Sequence, residues 1–430
     1  MGEDLSESQG HNQGGVVNFL QEFSIPLIAG VIAALIMANT EEHLYHEIIH
    51  FKPFGDLEIF GHGLDIHFLI NDIFMVLFFG IAAKEITEAM LPGGALNPPA
   101  KAINPLLGTI GGVVGPAGMY FLMTWVFYTG TPEYSLVANG WGIPTATDIA
   151  LAWLVARIVF GKAHPAVNFL LLLAVADDAI GLGIIAVFYP NPEHPVTPAY
   201  LLINLGAMGL AYGLRRADVQ RWSPYIFLAG GASWVGLILA SLHPALALVL
   251  IVPFMPAPKT DTGLFATMDD VAEAQEESTG HHTDSGDDHS PLHNFEHDVK
   301  LFVDFGLFFF AFANAGVALA SVNEVTWIVL AALIVGKTIG ITGFAMAGTA
   351  AGFPLPDGMK AKHLVVAGLI AGIGLTVALF VAGEAFPSSS ESAAVFQGPA
   401  RMGAVLSGLV AFMALGLGRV LGVKDGPDQD

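Results

Sequence analysis

Two adjacent acids, Asp177 and Asp178, stand in the middle of the apolar run LLLLAVADDAIGLGIIAVF. Neighbours on a helix point about 100° apart. One carboxylate can therefore face a buried partner while the other faces a water-filled cavity. Two such groups cannot both ionise cheaply in a low dielectric, which suits them to carrying protons. Once ionised, their hard oxygens suit Na⁺ or Li⁺. Lys337, in LIVGKTIGI, is the one base set equally deep in an apolar run. Its economical solution is an ion pair with one of the buried acids, in which case lysine and an alkali cation compete for the same carboxylate. Asp148 follows Pro144, Thr145 and Thr147 in GIPTATDIALAW. That pattern predicts an unwound stretch, with Asp148 opening the next half-helix at the positive end of its dipole. Asp72 is the remaining ionisable group at such depth. Each of these costs roughly 2.5–3.5 kcal/mol to insert and is a functional candidate by default. Asp304, Glu384 and His243 lie near segment ends and read as interfacial.

The elements that must position these residues follow from composition. Of the 430 residues 54% are hydrophobic and only 13% charged, with 50 Gly and no Cys. A soluble domain carries about 25% charge, so the chain reads as one all-α polytopic membrane domain over 1–430. The net charge of −22 excludes a nucleic-acid partner. The lack of cysteine excludes disulfides and thiolate chemistry. No cofactor is expected, and the chain does not read as an enzyme. Its partner is membrane lipid. The acidic start, MGEDLSESQGHNQGG, lacks the basic region of a signal peptide.

Stretches near 20 apolar residues can cross a bilayer as helices. Twelve are expected, at about 20–40, 65–84, 104–128, 141–159, 165–189, 197–214, 222–241, 243–258, 300–321, 325–348, 363–386 and 397–421. With both termini cytoplasmic, Lys337 lies within a span and only Lys52 and Arg401 fall outside. The other thirteen of the sixteen bases then lie on the cytoplasmic side, as the positive-inside bias requires. Residues 41–64 read as a β-hairpin turning around Phe54-Gly55-Asp56 on the outer side. Residues 259–299, with eleven acids and five His, read as a solvated cytoplasmic loop, since no ligand spacing there is specific. The eleventh span carries Gly368, Gly372 and Gly374 before Thr376 and is the second interrupted one. Spans 3–5 and 10–12 run in opposite senses with the interrupted helix central in each. Matching breaks in inverted repeats point to a transporter binding site.

At this point the chain resembles the NhaA-type bacterial sodium/proton antiporters over nearly its whole length. The segments that carry the likeness are IPTATDIALA, AVADDAIGLGIIAVFY, FFFAFANAGVAL, LIVGKTIGI and GLIAGIGLTVALFVAGEAF. The hairpin followed by HFLINDIFMVLFF adds to it. Paired breaks in inverted halves are already known from this family, so that architecture is not an independent finding. The resemblance implies electrogenic export of Na⁺ or Li⁺ for a larger number of protons, across the bacterial inner membrane, in the service of salt tolerance and pH homeostasis. It makes Asp178 the main cation carboxylate and Asp177 its partner, paired with Lys337 when sodium is absent. It sets Asp148 and Thr147 at the crossing of two unwound chains, and Asp72 along the cytoplasmic access path. It makes the 41–64 hairpin a homodimer contact.

The departures are local. The family usually has an acid at the position of Ala82; here the acids are Glu85 and Glu88. Glu296 and His297 match a cluster linked to pH response, and Lys300 stands where a His is common. Two other function classes fail on the residues. An intramembrane aspartyl protease draws its acids from different helices, one in a GxGD setting that is absent here. A channel needs a filter or charged rings. The alternative that shares broken helices is a sodium-coupled solute symporter, which needs a polar substrate pocket beyond the cation site.

Overall fold

The computed structural model describes residues 24–91, 94, 96, 99–162, 164–190, 195–257 and 290–424. Residues 259–289 of the acidic loop, and 20–23 of the first expected span, lie outside them. The described chain is mostly helical. It opens with α1 (Ile25–Thr40) and α2 (Glu42–Ile49). Strands β1 (Glu58–Ile59) and β2 (His62–Gly63) then pair antiparallel, with Ile59 opposite His62. After them come α3 (Ile66–Ala89), α4 (Pro99–Tyr128), α5 (Tyr134–Thr145), α6 (Ile149–Phe160) and α7 (Pro165–Phe188). The chain continues through α8 (Leu201–Arg216), α9 (Tyr225–Leu239) and α10 (Pro244–Phe254), the last a 3₁₀ element. It ends with α11 (Pro291–Asn314), α12 (Glu324–Ala350), α13 (Ala361–Ile370), α14 (Leu375–Ala385) and α15 (Glu391–Val420).

Among the described residues five helices are long and apolar enough to cross a membrane: α3, the 102–128 part of α4, α7, α12 and α15. The pairs α5–α6 and α13–α14 qualify together, bent by 52° and 51° at their breaks, which brings the number to as many as seven. Helices α1, α9 and α10 are apolar but shorter. The protein is a multi-pass integral membrane protein.

The breaks follow from local chemistry. Pro144 lacks an N–H and Gly142 gives little helix propensity. The chain closes α5 as a 3₁₀ turn and extends at Ala146 (ψ 156°). Asp148 then caps α6, its Oδ1 accepting from Leu151 N at 3.1 Å. In α13–α14 the glycines at 372 and 374 interrupt the ladder. A Cβ on Gly372 would lie 2.5 Å from the Leu333 carbonyl oxygen, so the close approach of α12 requires glycine there. The two extended stretches cross, with Asp148 N–H donating to Ile373 O at 2.7 Å.

Three sequence expectations change. The strands are confined to 58–63 and turn at Phe60-Gly61, both with positive φ (52° and 84°), the two-residue turn that fits strand twist. Residues 42–49, expected within the hairpin, are helical because Tyr45 and Ile49 lie on one buried face. The Tyr45 hydroxyl donates to Phe312 O at 2.7 Å and fixes α2 to α11. Helix α11 begins at Pro291, with Ser290 Oγ accepting from His293 N at 3.2 Å. Residues 291–299 are therefore helix rather than loop. Likewise the fourth span starts at Tyr134, seven residues before its expected start.

Helix α12, which carries Lys337, lies directly on α4. A Cβ on Gly340 would overlap the Gly111 carbonyl oxygen, and one on Gly111 would overlap that of Gly340. Introducing even a small side chain forces the helices apart, an overpacking cost of about 1–3 kcal/mol. Gly340→Val should lower the thermal midpoint of the detergent-solubilised protein, whereas Gly343→Ala, where a Cβ meets open space, should leave it near wild type.

Candidate functional site

At the crossing the side chains converge. Asp177 and Lys337 are fully buried, 0% exposed, and Asp178 is 8% exposed. Lys337 Nζ donates to Asp177 Oδ2 at 2.6 Å and to Thr147 Oγ1 at 2.5 Å. The Thr147 hydroxyl has two acceptors in range, Asp177 Oδ2 at 2.8 Å and the Ala371 carbonyl at 2.9 Å, but only one hydrogen to give. Asp148 Oδ2 accepts from the Thr376 hydroxyl at 2.9 Å and its N–H at 3.3 Å. Both broken helices thus contribute to one polar knot, α7 supplies the acids, and α12 supplies the lysine.

Lys337 sits one residue after a π-turn, Ala332–Gly336, within α12. Such turns insert an extra residue into the helical ladder and recur at functional positions. A second, Leu69–Phe74, carries Asp72 in α3. Neither is visible as a composition signal.

One oxygen of each acid in the pair is left over. Asp177 Oδ1 and Asp178 Oδ1 are buried without a hydrogen-bond partner among the described residues. Burying such an acceptor unpaired costs free energy, and a bound cation or a proton would satisfy it. No group of three or more His, Asp or Glu among the described residues forms a metal cage.

The remaining sequence candidates separate to two ends of α3. Asp72 and Lys84 are twelve residues apart on it, roughly 18 Å along a helix. At the far end Lys84 pairs with Glu296, and with Glu88 at 2.5 Å, while Lys300 Nζ lies 3.0 Å from Glu296 Oε1. Glu85 lies beside this cluster and within electrostatic reach of Asp178. His297 is exposed and turned to Asp298, at 3.3 Å. It does not join the ion cluster. Asp72 lies at the opposite end, in a cavity it shares with His62 of the hairpin and Ser388. That position follows from its being only six residues into α3 beside the hairpin.

Sequence reasoning missed Lys84 as a partner of Glu296, and it set aside Glu384 and His243, which meet at 3.2 Å. The available signal was the spacing of Thr376, Phe380 and Glu384, four residues apart on one face of α14.

The apolar helices, the two breaks that cross, and the ionisable groups gathered at the crossing define a polytopic membrane protein with a buried cluster of ionisable side chains at its centre. Comparison with known sequences gives the family. The Na⁺/H⁺ antiporter 1 family profile matches residues 18–417, and the chain belongs to that family. It is 54% identical over 408 residues to the Na⁺/H⁺ antiporter NhaA of Geobacter metallireducens, covering 95% of this chain and 98% of that one. It is 53% identical over 413 residues to the NhaA antiporter of Desulfitobacterium hafniense, covering 96% and 97%. To the NhaA antiporter of Jannaschia it is 42% identical over 440 residues, covering 95% and 98%.

Burial raises the Glu296 carboxyl, but Lys84 and Lys300 overcome this and bring it down from 4.5 to about 2. A group whose folded value is depressed stabilises above its unfolded value and loses that contribution as pH falls through the folded one. Glu296 should therefore stay ionised from pH 6 to 9. Glu296→Gln should lower stability by roughly 3 kcal/mol at constant difference across that range. The difference should shrink only below about pH 4.5, as followed by thermal melts of both proteins against pH.

Proposed function

We propose that this protein is an electrogenic secondary antiporter of the bacterial inner membrane that exports Na⁺, or Li⁺, in exchange for protons by alternating access at Asp177, Asp178 and Lys337. The observation that carries this reading is the fully buried Lys337–Asp177 pair beside Asp178, whose Oδ1 is buried and unpartnered. The names of the relatives, all sodium/proton antiporters, support the same chemistry.

In the sodium-free state Lys337 neutralises Asp177 and protons occupy the remaining acid capacity. A cation arriving from the Lys84 end binds the Asp178 carboxylate, displaces protons, and takes the Asp177 oxygen that Lys337 held. The bundle rocks, the cation leaves on the hairpin side, and protons reload the acids there. More than one proton per cation moves net charge, so the membrane potential contributes to the driving force. Asp148 and Thr147 anchor the crossing and supply oxygens at its edge.

This reading carries the twelve-span arrangement with inverted repeats and cytoplasmic termini, into which α11 and the shorter helices α1, α8, α9 and α10 fit as spans. It also makes the hairpin region a contact between two copies of the chain. In support, Phe51, Phe54, Leu57 and Phe60 are all exposed there, an apolar surface that a second copy would cover.

In everted membrane vesicles, adding Na⁺ or Li⁺ should collapse a respiration-driven pH gradient, reported by a pH-sensitive dye. Asp178→Asn should reduce that response by at least about tenfold at unchanged protein level. Undiminished exchange in Asp178→Asn would remove Asp178 from the site, and stimulation of Na⁺ flux by a solute would favour a symporter.

A further inference from the structure

Packing does not demand a glycine at Gly112, although it does at two neighbours on α4. A Cβ at Gly111 would overlap the Gly340 carbonyl oxygen, and one at Gly115 would overlap that of Gly336. Both obstacles are main chain. At Gly112 the nearest atoms all belong to side chains: Ile341 Cγ1 at 3.2 Å, Ile341 Cδ1 at 3.5 Å and Asp177 Oδ1 at 3.8 Å. A Cβ there asks Ile341 to give by a few tenths of an ångström. Gly112 is buried within the 102–128 span, where glycine supports a helix less well than alanine.

The register of α4 on α7 sets what stands beside this position. Gly108 faces apolar side chains, its Cβ position 3.3 Å from Leu173 Cδ1 and 3.5 Å from the ring of Phe169. Thr109 Oγ1 lies 3.3 Å from Leu173 O. One turn on, Gly112 faces Asp177. The two oxygens of that carboxylate are unlike. Oδ2 accepts from Lys337 Nζ at 2.6 Å and has the Thr147 hydroxyl at 2.8 Å. Oδ1, the oxygen nearest Gly112, is buried and accepts no hydrogen bond among the described residues. Leaving an acceptor unpaired in the interior costs free energy. An alanine at 112 would improve the helix, and a serine would also offer Oδ1 a donor. The chain has neither. It keeps open space beside a bare carboxylate oxygen, at the seam of α4, α7 and α12.

We infer that Gly112 is a specificity-determining residue: the space left by its missing side chain lets Na⁺, shed of water on that side, sit against Asp177 Oδ1. A carboxylate oxygen with no competing donor suits a hard cation. While Lys337 holds Oδ2, Oδ1 is the oxygen of Asp177 that the cation meets first, and the arriving charge then loosens the ammonium from Oδ2. A methyl group at 112 would stand in van der Waals contact with Oδ1. It would crowd Na⁺ more than the smaller Li⁺. Gly112 thereby sets which alkali cation the site accepts. The inference deepens the antiporter reading and rests on it for the exchange of that cation against protons.

Exchange by the purified protein in proteoliposomes gives apparent KM values for Na⁺ and Li⁺ separately. Gly112→Ala should raise the KM for Na⁺ about tenfold and that for Li⁺ no more than about twofold. Gly108→Ala brings similar crowding one turn away with no carboxylate beside it, and should leave both values near wild type. Adding Ile341→Val to Gly112→Ala removes the Cδ1 on which the new methyl presses but leaves that methyl beside Oδ1, so the Na⁺ defect should persist. An unchanged Na⁺ KM, equal rises for the two ions, the same defect in Gly108→Ala, or rescue by Ile341→Val would each make Gly112 a packing residue and overturn the inference. Binding of radioactive Na⁺ to detergent-solubilised protein, and its displacement by Li⁺, needs no exchange. There Gly112→Ala should shift the ratio of affinities towards Li⁺ about fivefold, and an unshifted ratio overturns the inference. The shift seen in a protein that exchanges no protons would defeat the antiporter reading and leave the role of Gly112 standing.

Discussion

An ammonium group cannot remain charged in hydrocarbon without a counter-charge, and among the described residues Lys337 has one such partner within bonding distance, Asp177. Much of the architecture follows from that constraint. The pair needs α7 and α12 at close quarters, which needs α12 to lie on α4, which needs glycine where the two backbones meet. A buried ion pair is at best a modest source of stability, because desolvating both charges offsets most of their attraction. In the exchange proposed above, its value lies in being replaceable. A second cation can take over the carboxylate only if the first was held by charge rather than by packing.

The broken helices solve a related problem. Ending a helix inside a membrane leaves N–H and C=O groups without partners, which is tolerated only where the chain lines a polar site. Here each break satisfies the other. Asp148 N–H reaches Ile373 O, the Asp148 carboxylate caps α6 and receives Thr376 from α14, and Thr147 reaches Ala371 O. The acid sits at the positive start of two half-helices, accepting Leu151 N–H of α6 and Thr376 N–H of α14, in the sense the dipoles favour.

What could be read from the sequence was what costs most in a bilayer. Asp177, Asp178, Asp148 and Lys337 stand out because a charge in an apolar run has no bland explanation, and Pro144 because it cannot donate to a helix. Residues whose meaning depends on register were not legible. Glu384 looks terminal until its turn-by-turn alignment with Thr376 is seen, and Lys84 looks like a loop base until α11 proves to start at Pro291. The π-turns at 69–74 and 332–336 leave no trace in composition. The hairpin was placed by alternation alone, which could not tell a two-residue turn at Phe60-Gly61 from the bend at Gly55. Which end of α3 Asp72 faces is a three-dimensional property that its depth in an apolar run does not fix.

The backbone contact between α4 and α12 has a consequence for movement. With Gly111 and Gly340 locked carbonyl to Cα, and Gly115 similarly against Gly336, neither helix can slide or roll on the other without collision. The two must travel as one beam, carrying Lys337 with them. Any relative displacement that swaps which mouth is open has to be taken up along other seams, where side chains rather than main chains touch and can reshuffle.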